Sequence, residues 1–118
     1  MAEQGMIDVR LVNAIQIAVN FPSINRIGVF GSHARGEATY ESDFDILYDY
    51  DENQVDDMLS CLEAIDSRLG HLGAKIDFVS IYSLYEGEKD AYDIAFRDNV
   101  LREVVWVYER GKTSACAT

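Results

Sequence analysis

A short apolar run, Arg26-Ile27-Gly28-Val29-Phe30, stops at Gly31-Ser32. Ten residues later a second run, Phe44-Asp45-Ile46-Leu47-Tyr48, opens on the acidic pair Asp43-x-Asp45. Apolar runs of this length, bounded by turn residues, read as buried strands. The first strand is predicted over about Ile27–Phe30, and a short helix near Ser32–Arg35 follows the Gly-Ser break. A strand that ends this way presents backbone N–H groups and a hydroxyl at a helix start, where phosphate oxygens bind. Alternate residues of a strand share a face, so Asp43 and Asp45 project the same way. Two such carboxylates repel each other unless a cation lies between them, and all-oxygen donors suit Mg2+ or Mn2+. A phosphate cradle and an acid pair on adjoining strands point to metal-assisted phosphoryl chemistry.

The rest of the chain supplies the elements that such strands need. Residues 1–5 are expected to fray. From Met6 to Asn20, Ile7, Leu11, Ile15 and Ala18 recur at helical spacing with Val12 and Val19 beside them, until Phe21-Pro22 ends the helix. The second strand is predicted over Phe44–Tyr50, followed by a solvated acidic turn, Asp49–Glu52. Gln54–Leu69 carries Val55, Met58, Leu59, Leu62, Ile65 and Leu69 on one helical stripe, with Gly70 as its stop. A third strand, Lys75–Ser80, a polar loop, Tyr85–Asp90, and a helix, Asp90–Val104, come next. Ile94, Ala95, Val100, Leu101 and Val104 are expected to face inward from that helix. Val104–Tyr108 closes as a short edge strand, and a tail begins at Gly111. Strands separated by amphipathic helices predict an α/β (α+β) fold, a short sheet with helices covering one face. One domain spans 1–118, with its core at about 7–109.

Composition narrows the partners. The 118 residues suffice for one core, and the formal charge is −11 with no Lys/Arg cluster. Such a field repels a polyanion, which argues against a free-standing nucleic-acid binder. A nucleotide arriving with its own Mg2+ is partly neutralised and escapes that argument. Cys61 and Cys116 are too few for a disulfide framework or a zinc site. No signal peptide or membrane-spanning run is read from the chain, so a cytoplasmic protein is expected.

Asp77 is the third acid, set between Ile76 and Phe78 on the predicted third strand. If that strand neighbours the second, all three carboxylates converge; otherwise Asp77 is a strand-end residue paired with Lys75 or a backbone cap. Arg35 is the cation nearest the cradle and either contacts phosphate or pairs with Glu37 or Glu41. His33 reads as solvent-facing, His71 as incidental, Ser42 as orienting the turn before the acid pair, and Gly36 as a turn residue.

Gly-Ser, ten residues, Asp-x-Asp resembles the signature of the polymerase-β nucleotidyltransferase superfamily. The fuller Gly31-Ser32-x-Ala34-Arg35-Gly36 with Ser42-Asp43-x-Asp45-Ile46 resembles its smallest branch, the minimal nucleotidyltransferases, over about residues 7–109. The resemblance implies a mixed sheet, with the second strand antiparallel to the first. It implies that Asp43 and Asp45 hold two Mg2+ ions and that Asp77 ligates the catalytic metal and helps activate an incoming hydroxyl. Ser32, with the Gly31 backbone, would hold the terminal phosphates. It further implies transfer of an NMP, AMP from ATP, to a tyrosine of a HEPN-type toxin, for which the chain acts as antitoxin. Two alternatives stay open: a protein that neutralises a toxin by contact alone, and a small-molecule (antibiotic-type) nucleotidyltransferase, perhaps building its acceptor site as a homodimer.

Overall fold

Four strands form one sheet in the order β3-β2-β1-β4 in the computed structural model, which describes residues 7–39, 41–73 and 75–111. Strand β1 (Ile24–Phe30) and strand β2 (Phe44–Tyr50) are central and antiparallel. Strand β4 (Val105–Glu109) runs antiparallel along the other side of β1, and β3 (Ile76–Ser80) runs parallel to β2. The sheet is therefore mixed. Joining parallel neighbours requires a crossover, and helix α3 (Val55–Leu69) supplies it.

The register sets what each face carries. Phe30 lies opposite Asp45, Asp45 opposite Asp77, and Leu47 opposite Val79. On one face Ile27, Val29, Phe44 and Ile46 pack against Leu11, Ala14 and Ile15 of helix α1 (Val9–Ile15), with Met58, Cys61, Ile65 and Leu69 of α3. Burying each large side chain here is worth about 1.5–3 kcal/mol. The other face carries a smaller cluster of Phe30, Leu47, Leu84 and Val100, the last from helix α4 (Ala91–Glu103). Helices thus cover both faces, not one, because odd-numbered β2 positions such as Leu47 are also apolar and need a cover.

Other departures have local causes. The first helix starts at Val9, where Asp8 accepts the Arg10 N–H at 2.9 Å as an N-cap, and tightens into a 3-10 turn over Gln16–Asn20 before Pro22. That turn leaves Val19 65% exposed. In α3, Val55 and Leu59 face solvent and Cys61 takes the inward place, since the buried stripe runs Met58, Cys61, Ile65, Leu69. Gly70 keeps helical backbone, and the stop falls at Gly73, whose φ of 81° reverses the chain. Ile94 and Ala95 are exposed because α4 leans on the sheet through Phe96, set edge-on to Phe30, and through Val100 and Leu101. Strand β1 begins at Ile24, and a 3-10 turn, Ile81–Leu84, places Leu84 in the smaller cluster. The acidic turn is structural as well as solvated: Asp49 pairs with Arg26 at 3.2 Å, and Asp51 accepts from Asn53 N–H and Gln54 Nε2 ahead of α3. The predicted frayed start at 1–5 and the tail beyond Gly111 lie outside the described residues. No helix among the described residues is long and apolar enough to cross a membrane.

Candidate functional site

At the end of β1, Gly31 turns the chain with φ 75° and ψ −152°, and helix α2 (Ser32–Arg35) follows at once, closed by left-handed Gly36. A side chain at Gly31 would be strained by that backbone, and its Cβ would overlap Asp45 Oδ2. The Asp45 carboxylate therefore lies directly against the Gly31 turn. The parallel register sets Asp77 level with Asp45 on the same face, and Asp43 precedes Asp45 by two residues, just ahead of β2. That face is the one holding Leu47 and Val79, so Asp77 points away from the core cluster that receives Ile76 and Phe78. Asp77 and Asp43 are exposed, and Asp45 is half-buried.

The electrostatics follow from this arrangement. Burial pushes the Asp45 carboxyl above its ordinary value, and the charges of Asp77 and Asp43 push it further, with Arg35 pulling the other way. Among the described residues, no Lys, Arg or His makes an ion pair with any of the three acids. An uncompensated cluster of carboxylate oxygens fits a hard divalent cation in charge and donor chemistry. Among the described residues, no three His, Cys, Asp or Glu side chains stand close enough to hold an ion unaided, so a cation would have to gather the carboxylates.

Arg35 does pair with Glu37, Nε to Oε1 at 2.9 Å, but not with Glu41. Its second partner is Glu103, reached by Nη1 at 3.1 Å. Glu103 also accepts the Gly31 N–H on Oε2 at 2.9 Å. Sequence reasoning missed this residue. A signal existed: Glu103 is the last residue of α4, where the helix dipole disfavours an anion, so another contact has to hold it there.

His33 is half-buried, its ring 4.7 Å from that of Phe44, so it packs α2 against β2 instead of facing solvent. Burial holds its pKa below the ordinary value. Ser42 orients the turn before Asp43 as expected, its Oγ accepting the Thr39 N–H at 2.9 Å. His71 is exposed in the turn after α3.

A family model described as Polymerase beta, Nucleotidyltransferase matches residues 13–113. The chain belongs to this family. Protein adenylyltransferase MntA of Thermococcus cleftensis is 39% identical to it over 84 residues, 71% of this chain and 75% of that protein. A solved structure described as a minimal nucleotidyltransferase superposes with a TM-score of 0.57 at 28% identity, covering 82% of this chain and 88% of the other. The fold also recurs in the structure of a tri-AMPylated Shewanella oneidensis HEPN toxin in complex with MNT antitoxin, with a TM-score of 0.52 at 15% identity over 92% of this chain and 76% of that one. The polymerase-β-like fold, the minimal nucleotidyltransferase branch and the enzyme class expected from Gly31-Ser32 and Asp43-x-Asp45 thus agree with the family of the chain.

Proposed function

We propose that this polymerase-β family member is a protein adenylyltransferase antitoxin. It moves AMP from ATP, with Mg2+, onto a tyrosine hydroxyl of a HEPN-type toxin in the cytoplasm. The observation that carries the reading is the level placement of Asp45 and Asp77 across a parallel strand pair, on the face where Gly31 turns into Ser32. Two relatives support the finer part: MntA, named a protein adenylyltransferase, and the MNT antitoxin found with an AMPylated HEPN toxin.

In this reading Asp43 and Asp45 would hold two Mg2+ ions, with Mn2+ as a substitute, and Asp77 would help ligate the catalytic one. Such ions would supply positive charge to offset that of the reacting phosphate groups. The Gly31 N–H and Ser32 hydroxyl hold the terminal phosphates, and Arg35 adds a guanidinium. Asp77, exposed on edge strand β3, accepts the proton of the acceptor hydroxyl. The tyrosine oxygen then bonds to the α-phosphorus, the bond to the β-phosphate bridging oxygen breaks, and pyrophosphate leaves. Few other groups are needed, since the protein contributes positioning and charge. A charge of −11 complements a toxin with a basic, RNA-facing side.

The test is incubation with α-labelled ATP, Mg2+ and the HEPN-type protein encoded beside this chain. Label on a tyrosine of that protein is expected, falling at least ~100-fold in Asp45→Asn and Asp77→Asn with no fall in the urea midpoint. Equal neutralisation of the toxin by wild type and both variants would favour contact alone. Full transfer by Asp77→Asn would remove Asp77 from the mechanism.

A further inference from the structure

Two of the groups assigned to phosphate, the Gly31 N–H and Arg35, are engaged in the resting chain. Glu103 Oε2 takes the Gly31 N–H at 2.9 Å, and its two oxygens lie 3.1 and 3.4 Å from Arg35 Nη1. One backbone N–H and one guanidinium converging on two anionic oxygens is how a protein holds the edge of a phosphate. We infer that Glu103 is an internal stand-in for phosphate, a positioning residue that occupies the Gly31 N–H and Arg35 until the phosphates of a nucleotide displace it. The inference rests on the nucleotidyltransferase reading of the Gly31–Asp45 site and adds to it a competing anion supplied by the chain.

Three features make an exchange the natural outcome, as against a permanent brace. Glu103 sits at the C-terminal end of α4, where the helix dipole opposes its charge, and its field falls on Asp45, which already feels Asp43 and Asp77. Its backbone is fixed: Val100 is buried, and its carbonyl accepts the Val104 N–H at 2.9 Å, so the side chain can swing while the helix end stays. Arg35 keeps a second hold, since Glu37 accepts from Nε at 2.9 Å, and only Nη1 is shared with Glu103. The guanidinium can pass from carboxylate to phosphate without losing its anchor. A triphosphate arriving while Glu103 stays would meet a negative charge on the donors it needs.

The test compares Mg-ATP binding by calorimetry in wild type and Glu103→Gln. The amide oxygen of glutamine can still accept the Gly31 N–H, so the turn keeps its brace while the charge that competes for Arg35 is gone. Binding tighter by about three- to tenfold is expected, the range of one partly exposed ion pair and its hydrogen bond. The Gly31 amide proton resonance of the wild type is expected to shift on saturation with Mg-ATP, as its acceptor changes. Should Glu103→Gln not fold, Glu103→Asp, one methylene too short for the same contact, is read in the same way. Equal or weaker binding by the variant, with wild type binding normally, overturns the inference and leaves adenylyl transfer untouched. Failure of both proteins to bind Mg-ATP overturns the nucleotidyltransferase reading itself, and this inference with it.

Discussion

At Gly31 two requirements meet in one residue. The backbone turns through a φ of 75°, and the space a Cβ would fill belongs to an Asp45 oxygen. This is why the Gly-Ser break was readable from the chain alone: a turn, a donor and a carboxylate have to share one position. Asp43 and Asp45 were readable for a related reason, since a two-residue period is fixed by strand geometry. Asp77 was readable only on the condition that β3 lies beside β2, which the register meets. Glu103 was missed: an anion at a helix C-terminus hinted that something holds it, but its contacts with Gly31 and Arg35 span 72 and 68 positions and no local period says what. His33 was misjudged as solvent-facing, and its packing on Phe44 has a measurable consequence. The unfolded chain takes up a proton at its ordinary value of 6.5, while burial makes the folded ring take it up lower. Below 6.5 the unfolded state therefore binds more protons, and stability falls as pH drops toward the folded value; above 6.5 the residue is silent. Urea midpoints measured at about pH 7.5 and about pH 5.5 should drop more in wild type than in His33→Phe, which keeps a ring against Phe44.

Among the elements, α4 shows what periodicity can and cannot reveal. That a helix runs from about residue 90 to 104 was clear from the sequence, and the structure shows how its start is held. Asp90 accepts the Asp93 N–H at 2.9 Å, and Asp93 accepts the Asp90 N–H at 3.2 Å, a reciprocal capping box. Which side of the helix faces inward was misassigned at Ile94 and Ala95, because α4 meets the sheet through Phe96, set edge-on to Phe30, and through Val100 and Leu101. Tyr92 and Ile94 remain exposed near its start. With so little burial near its start, α4 depends on the cap there. Asp90→Ala should lower the unfolding free energy by about 0.5–2 kcal/mol in urea titrations. In α3 the error was smaller. The stripe was right at Met58, Ile65 and Leu69, and Cys61 replaced Leu59 because a shift of two residues moves the inward direction across the helix.

For the whole molecule, the fold class and the placement of the acid pair followed from strand and helix patterns, while the mixed sheet followed from the family resemblance. The second covered face did not, since Phe30, Leu47, Leu84 and Val100 come from four separate segments, each too sparse to look like a core on its own. Charge acts at this scale too. A formal charge of −11 on one small domain repels itself when compact. Raising NaCl from about 0.01 M to about 0.3 M should screen that repulsion and lift the thermal midpoint by roughly 2–6 °C, as followed by circular dichroism.

The larger core lies on one side of the sheet, and Asp45 and Asp77 lie on the other. On the proposed reading, chemistry and architecture are therefore separable in this chain. Neutralising a few oxygens on the acidic side removes no buried methyl group and breaks no strand pairing. A lineage built on this plan could shed catalysis in one or two substitutions and persist as a pure binding protein, its outline intact.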